Sequence, residues 1–341
     1  VYHPDNHFSW RLDFPRDGGT VALFSQSGWN ATDLVNLGAV QGIHFDKVVS
    51  YGNACDLNEV DFLEYFAQDP KNKIIAAYIE DVKEGQRFLQ AVKRTTKIKP
   101  VIILRGGYND AGMRATASHT GALAGSQAAW DCFFKQSGAI QVYNLEELVD
   151  TILAFLHLHA PNGKNVAVIG SGGGPSVQAA DACGSAGLAV PSLSTKIEEK
   201  LRGFIPPEGT IISNPMDFLF MTSADQFREA VKIIGDWPQV DSMIIHTGID
   251  YYLTIPDGKR MIEEMTETIV GVVKQVNKPA AIVLRSSGSL EAMETIAVER
   301  ERLAKNGLPL YPSVVRAAQA LSKLVQHYKN HAATQQYVQR T

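Results

Sequence analysis

The chain has 341 residues, 45% of them hydrophobic and 20% charged, with a formal charge of −4, the make-up of an ordinary globular protein long enough for two domains with cores of their own. A slightly acidic chain with no run of five or more Lys/Arg gives no electrostatic ground to expect nucleic acid or an anionic membrane as partner. No apolar stretch reaches the roughly 20 residues that span a bilayer, and the N-terminus lacks the basic-then-apolar pattern of a secretion signal.

Cys55, Cys132 and Cys183 are odd in number and widely separated. Their spacing argues against a disulfide framework or a metal site and fits a reducing, cytoplasmic setting. The first residue is Val rather than Met, which suggests a piece of a longer chain or a processed one.

Short β-branched runs alternate with helical patterns. "TVALFSQSG" (20–28), "FDKVVSYGN" (45–53), "KIIAAYIE" (73–80), "PVIILRGG" (100–107) and "AIQVYN" (139–144) each read as a buried strand stopping at polar or Gly residues. Between them, "DLNEVDFLEYFAQDP" (56–70) repeats Val60, Leu63 and Phe66 at helical spacing. The alternation predicts an α/β domain over residues 1–160 with a mostly parallel, doubly wound sheet. After the polar break "HAPNGKN" (159–165) the pattern restarts. Strands are expected at 165–174, 241–250, 279–289 and 308–313, with helices at about 175–187, 223–236, 258–277, 290–306 and 314–330, which makes residues 161–341 a second domain of the same plan.

Two places pass from strand through Ser/Gly into a helix: Ser25-Gln26-Ser27-Gly28 and Gly172-Gly173-Gly174-Pro175-Ser176. Backbone N–H groups and the helix dipole gather an anion in such a turn. Neither is a P-loop or a clean dinucleotide fingerprint, and a tight turn whose glycines only permit close packing explains each of them too.

Open α/β sheets place ligands at the carboxyl ends of their strands. In the first domain those ends carry Ser25, Gln26 and Ser27, then Gly52 and Asn53, then Glu80, then Arg105. The stretch "RATASHTGALAGSQ" (114–127) leaves from the same edge and reads as a flexible loop with a lone imidazole, His119. A carboxylate that accepts one ring N–H leaves the other nitrogen free as a nucleophile, so the parts for a phosphohistidine are present. A satisfied structural histidine is the alternative. His246 ends a strand of the second domain and is expected to be structural. His157, His159, His327 and His331 are expected at the surface. Asp56, Glu59 and Asp61 read as an acidic helix start that the dipole favours, and Asn214-Pro215-Met216-Asp217 reads equally as a loop approaching the site or as an Asn-Pro turn with an Asx-type hydrogen bond.

"SHTGALAGS" (118–126), with "SYGNACDLNEVDFLEYFAQDPKNKIIAAYIEDVKEGQRF" (50–88), closely resembles the ADP-forming acyl-CoA synthetases, relatives of succinyl-CoA synthetase. The likeness extends through "FSQSG" (24–28), "EELVD" (146–150), "GSGGGPSVQAADACGSAGL" (170–188) and "FIPPEGTIISNPMDF" (204–218). It implies two succinyl-CoA synthetase-like flavodoxin domains. It also implies phosphorylation of His119, a hydrogen bond from its ring N–H to Glu80, support from Ser118, Thr120 and Gly121, and phosphate held by Ser25, Gln26, Ser27, Gly28, Gly172, Gly173, Gly174 and Ser176.

The implied reaction is acyl-CoA, phosphate and ADP to acid, CoA and ATP. Its cofactors are CoA or acyl-CoA, phosphate, and ADP/ATP with Mg2+. No CoA-binding Rossmann domain or ATP-grasp region is visible in these residues, so both are expected as partner domains or subunits, the second holding the nucleotide. A homo- or hetero-oligomer stays open. Two other roles also stay open: an acyl-CoA-sensing part of a protein acetyltransferase fusion, and a flavodoxin-like nucleotide or flavin module.

Overall fold

The computed structural model describes the backbone of all residues but 121–125, 207–208, 219–222 and 339–341, and leaves the side chains of 117–120 and 332–338 undescribed. Val1–Leu156 with Asn330–Thr341 form one compact unit and His157–Lys329 another.

In the first unit the apolar runs become β1 (Val21–Ser25), β2 (Phe45–Ser50), β3 (Ile74–Ile79), β4 (Val101–Arg105) and β5 (Ile140–Val142). They pair in the order β2-β1-β3-β4-β5, all parallel. Every residue of β1 and β4 is buried, as a strand covered on both faces must be. The covering helices are α1 (Gly28–Val40), α2 (Glu59–Gln68), α3 (Gly85–Thr95), α4 (Asp110–Thr120), α5 (Gln127–Ser137) and α6 (Leu145–His157). One face of this sheet packs Phe24, Val60, Phe66, Phe88, Ile103 and Trp130 into a continuous core. The outer edge of β2 is closed by the chain's first residues: Tyr2 and Val48 exchange backbone hydrogen bonds of 2.8 Å each way, while the Tyr2 ring packs edge-on to Phe14.

The second unit builds β6 (Val166–Gly170), β7 (Met216–Asp217), β8 (Ser242–Gly248), β9 (Ala280–Arg285) and β10 (Leu310–Tyr311). Their order is β10-β9-β8-β6-β7, again all parallel. Read from its other end, this is the winding of the first unit, and both follow the flavodoxin-like strand order. Its helices are α7 (Gly173–Ser185), α8 (Thr195–Arg202), α9 (Ala224–Gly235), α10 (Asp250–Leu253), α11 (Gly258–Val273), α12 (Leu290–Lys305) and α13 (Val314–Val338), the last of which runs on into the first unit.

Three elements of the second unit escape a pattern reading. β7 has two residues, too few to show any period, and α10 has four. The third, α8, did carry a signal, because Ile197 and Leu201 are buried one turn apart behind Ser194. Among the described residues no helix is long and apolar enough to cross a membrane.

Candidate functional site

The carboxyl edge of the first sheet is tied together by short hydrogen bonds. Ser25 is fully buried at the end of β1, and its hydroxyl donates to the Ser27 carbonyl (2.7 Å) while accepting from the Ser27 N–H (3.1 Å). That reciprocal pair fixes the turn and leaves Ser27 extended as the N-cap of α1, where its Oγ accepts from the Asn30 N–H at 3.2 Å. Gly28 opens the helix, so the free backbone donors of α1 face the ligand edge of the sheet.

Gln26 joins this turn to the end of β3. Its N–H donates to the Tyr78 carbonyl at 3.1 Å, and its side-chain Oε1 accepts from the N–H groups of Glu80 and of Asp81, the latter at 3.0 Å. Glu80 is buried, and the Tyr78 hydroxyl donates to its Oε1 at 2.9 Å. Burial, and then the Glu80 charge, raise the Tyr78 hydroxyl above the usual phenol range, so Tyr78 stays a donor. The second oxygen, Oε2, has no hydrogen-bond partner among the described residues. Gly106 makes room for this pair, because a Cβ there would come within 2.6 Å of the Tyr78 oxygen. Gln26 was expected at this edge, whereas Tyr78 was not singled out from the sequence. Tyr78 had a signal, since it lies two residues before Glu80 along the same strand direction and side chains alternate with period two.

Arg105, also at this edge, is turned away from an anion role. Its Nη1 donates to Gln127 Oε1 at 2.8 Å, and its guanidinium lies 5.1 Å over the Trp130 ring.

The stretch around His119 is helical where a flexible loop was expected: α4 runs to Thr120 and takes in Ser118 and His119. The local reason is legible afterwards. Asn109 Oδ1 accepts from the Gly112 N–H at 2.8 Å as a cap, Asp110 sits in the first turn, and Ala115 and Ala117 are strong helix formers. The side chains of Ser118, His119 and Thr120, and all of Gly121, lie outside the described residues.

In the second unit the matching turn is built differently. Ser171 Oγ and Thr247 Oγ1 are 3.0 Å apart, and Arg285 Nη2 donates to the Ser171 carbonyl at 3.1 Å. Gly172 has φ +98 and is the N-cap of α7 with no side-chain cap. Its N–H donates instead to Asp217 Oδ1, at 2.6 Å, across from β7. Gly173 and Gly174 open the helix. A Cβ on Gly174 would meet nothing within 4 Å. Ser176 is buried, with its hydroxyl unpartnered among the described residues.

Asn214 forms no local Asx turn. Its amide bonds the β6 backbone at Val168 N–H (2.8 Å) and Val166 carbonyl (3.0 Å), and the Pro191 carbonyl at 2.9 Å.

His246 lies beneath Gly170, whose missing Cβ makes space for the ring. It is 1% exposed, and burial, followed by the Arg285 charge, pushes its pKa down to about 4. The imidazole is therefore neutral and interior. His327, expected at the surface, is also buried, since α13 turns that face inward. Glu59 departs further from expectation. Asn58 and Asp61 form the capping box of α2, while Glu59 is buried, with a carboxyl pushed upward by desolvation. Among the described residues no cluster of three or more His, Cys, Asp or Glu is placed to hold a metal ion.

Comparison with known proteins places these edges in context. The model of the succinyl-CoA ligase like flavodoxin domain matches residues 18–155, and that of the Ligase-CoA domain matches 166–333. The alpha subunit of ADP-forming acetate–CoA ligase II of Pyrococcus furiosus is 36% identical over 315 residues, covering 92% of this chain and 66% of the relative. The alpha subunit of ligase I of the same organism is 34% identical, covering 90% of this chain and 63% of the relative. The chain thus spans just under two thirds of the length of these relatives. The dinucleotide forming acetyl-coenzyme A synthetase 1 of Ca. Korarchaeum cryptofilum, solved with phosphate and ADP, superposes with a TM-score of 0.80 at 27% identity, covering 95% of this chain and 68% of that one.

Proposed function

The chain belongs to the ADP-forming acyl-CoA synthetase family, in which a succinyl-CoA ligase like flavodoxin domain precedes a Ligase-CoA domain, and from that premise we propose that it is the phosphotransfer core of such a ligase. The observation that carries the reading is the state of Glu80: one oxygen is held by Tyr78, and the other is buried with no partner among the described residues. A carboxylate prepared in this way fixes one tautomer of a histidine by accepting its ring N–H, leaving the opposite nitrogen nucleophilic. His119, in the same unit, is the histidine we assign to it.

The chemistry then runs in three balanced steps. A phosphate oxygen attacks the thioester carbonyl, the C–S bond breaks and CoA leaves as thiolate, giving an acyl phosphate. The His119 nitrogen attacks phosphorus, the P–O bond to the acyl group breaks and the free carboxylate departs. A terminal oxygen of ADP takes the phosphoryl group from the imidazole, releasing histidine and ATP. Glu80 stabilises the charge that forms on the ring in the second step and is lost in the third. Phosphoryl transfer depends mostly on positioning and charge stabilisation. The start of α1, with Ser25, Gln26, Ser27 and Gly28, and the start of α7, with Gly172, Gly173, Gly174 and Ser176, are each suited to hold phosphoryl oxygens on backbone N–H groups.

The two matched domains take up residues 18–155 and 166–333. The reading therefore calls for a CoA-binding Rossmann domain and an ATP-grasp domain, on the same polypeptide or on a partner subunit. Magnesium would arrive with the nucleotide on that second partner. The relatives matched are named as ligases, which disfavours the acetyltransferase-sensor alternative.

The test is intact-mass and acid-lability analysis after incubation of the chain and both partners with ATP and magnesium. An acid-labile phosphoryl group that returns to ADP and is absent from His119→Ala is the expected result. No label, with all partners folded, overturns the reading.

A further inference from the structure

The Asp217 carboxylate sits where a bound anion would sit. Its Oδ1 accepts the Gly172 N–H at 2.6 Å, and its Oδ2 would be 3.7 Å from a Cβ placed on Gly173, so both oxygens lie over the first residues of α7. The residue is 8% exposed. Its backbone is held on both sides, by β6 through the pairing Gly170↔Asp217 and by Ile211, with which it exchanges two hydrogen bonds of 3.0 Å. Three successive glycines offer no side-chain cap of their own. A carboxylate on a helix N-terminus is favourable for the same reasons as a phosphate, namely unpaired N–H donors and the positive end of the dipole.

We propose that Asp217 is an internal occupant of the α7 cradle, which a phosphoryl group must displace from Gly172 in order to bind. The inference rests on the reading of that cradle as a phosphate site and adds its regulation. Two negative groups cannot share one N–H donor at van der Waals distance without strong repulsion, and the buried surroundings leave that repulsion poorly screened. Asp217 is thus a positioning residue. It keeps the turn formed while the cradle is empty, and it makes the cradle bind a free phosphate weakly, so that only an anion delivered and held by other contacts takes the place.

The experiment uses the full chain, labelled with 15N at glycine, titrated with inorganic phosphate and followed at the Gly172, Gly173 and Gly174 amides. Wild type is compared with Asp217→Asn, which keeps an acceptor for Gly172 and drops the charge. The expected result is a phosphate affinity at these amides at least tenfold tighter in Asp217→Asn. Equal affinity in the two proteins, with all three amides responding, overturns the inference and leaves the cradle reading standing, Asp217 then being a structural cap. No response of these amides in either protein overturns both.

Should the variant fail to fold, the wild-type protein labelled with 13C at the aspartate carboxyl carbons decides. Phosphate that moves the Asp217 resonance together with Gly172 supports displacement. Phosphate that moves Gly173 and Gly174 while Asp217 and Gly172 stay fixed excludes it.

Discussion

In the first unit the turn after β1 is closed by hydroxyl side chains, Ser25 on Ser27 and Ser27 on Asn30, and the carboxylate Glu80 lies one strand away on Tyr78. In the second unit the start of α7 is bare glycine, and the carboxylate Asp217 reaches over from a two-residue edge strand to sit directly on it. The strand order is the same in both. A shared winding therefore fixes where a ligand edge lies without fixing what occupies it. The first unit holds its acidic group on a tyrosine of the neighbouring strand, the second on its own helix. His246 is sealed inside the second sheet and neutral.

The largest expected effect separates those histidines. His119→Asn removes the acid-labile phosphoryl group and lowers turnover by about 10³-fold or more, as loss of a covalent nucleophile does. His246→Leu leaves the label in place. A label that survives the first change or vanishes with the second breaks the contrast between the units.

Next comes pH. An unfolded imidazole takes up its proton near 6.5, and His246 in the folded chain only near 4. Between those values the unfolded chain binds more protons. The contribution of His246 to stability is therefore complete above about pH 6.5 and is lost as pH falls toward 4, roughly 3 kcal/mol in all. Hydrogen exchange on peptides covering β8 should show this loss in wild type and a flatter profile in His246→Leu. Glu59 in the first unit acts with the opposite sign. Its folded carboxyl holds a proton longer than the unfolded one, so its contribution falls as pH rises through the carboxylate range, and Glu59→Gln should stabilise that unit at neutral pH.

Glu80→Gln keeps the hydrogen bond from Tyr78 and drops the charge. The rate of phosphohistidine formation should fall about 10²-fold, the lower range for a positioned acid–base group, with melting little changed. A fall in melting that matches the fall in rate would make Glu80 merely structural. The smallest effect sharpens the difference in turn chemistry: Ser27→Ala should cost about 1 kcal/mol through loss of the α1 cap, read by chemical unfolding.

Most of the architecture was readable because the buried strands of a parallel sheet are continuous apolar runs, as in "VAVIG" and "VIILR". β7 was not, because Met216 and Asp217 are extended only through pairing with β6 and Ile211, a tertiary cause that leaves no local pattern. Consequently Asp217 passed as part of a turn. The Ser-His-Thr stretch reads as loop from the sequence but is helical, because alanine serves both a helix and a small-residue loop, and only Asn109 marks the start. Glu80, Gln26 and the two Ser/Gly turns were found by asking which residues end strands. Their mutual bonds were not, since hydrogen bonds between β1 and β3 residues more than fifty positions apart have no signature along the chain.

Gly170 and His246 also constrain how this sequence can change. The ring occupies the volume that any side chain at position 170 would need, so position 170 cannot drift by itself: a methyl group there becomes acceptable only in a background where 246 has already shrunk. In a pairwise mutational library the two positions should appear as one heritable unit. Survivors would carry glycine with a broad choice of partner, or alanine with a narrow one.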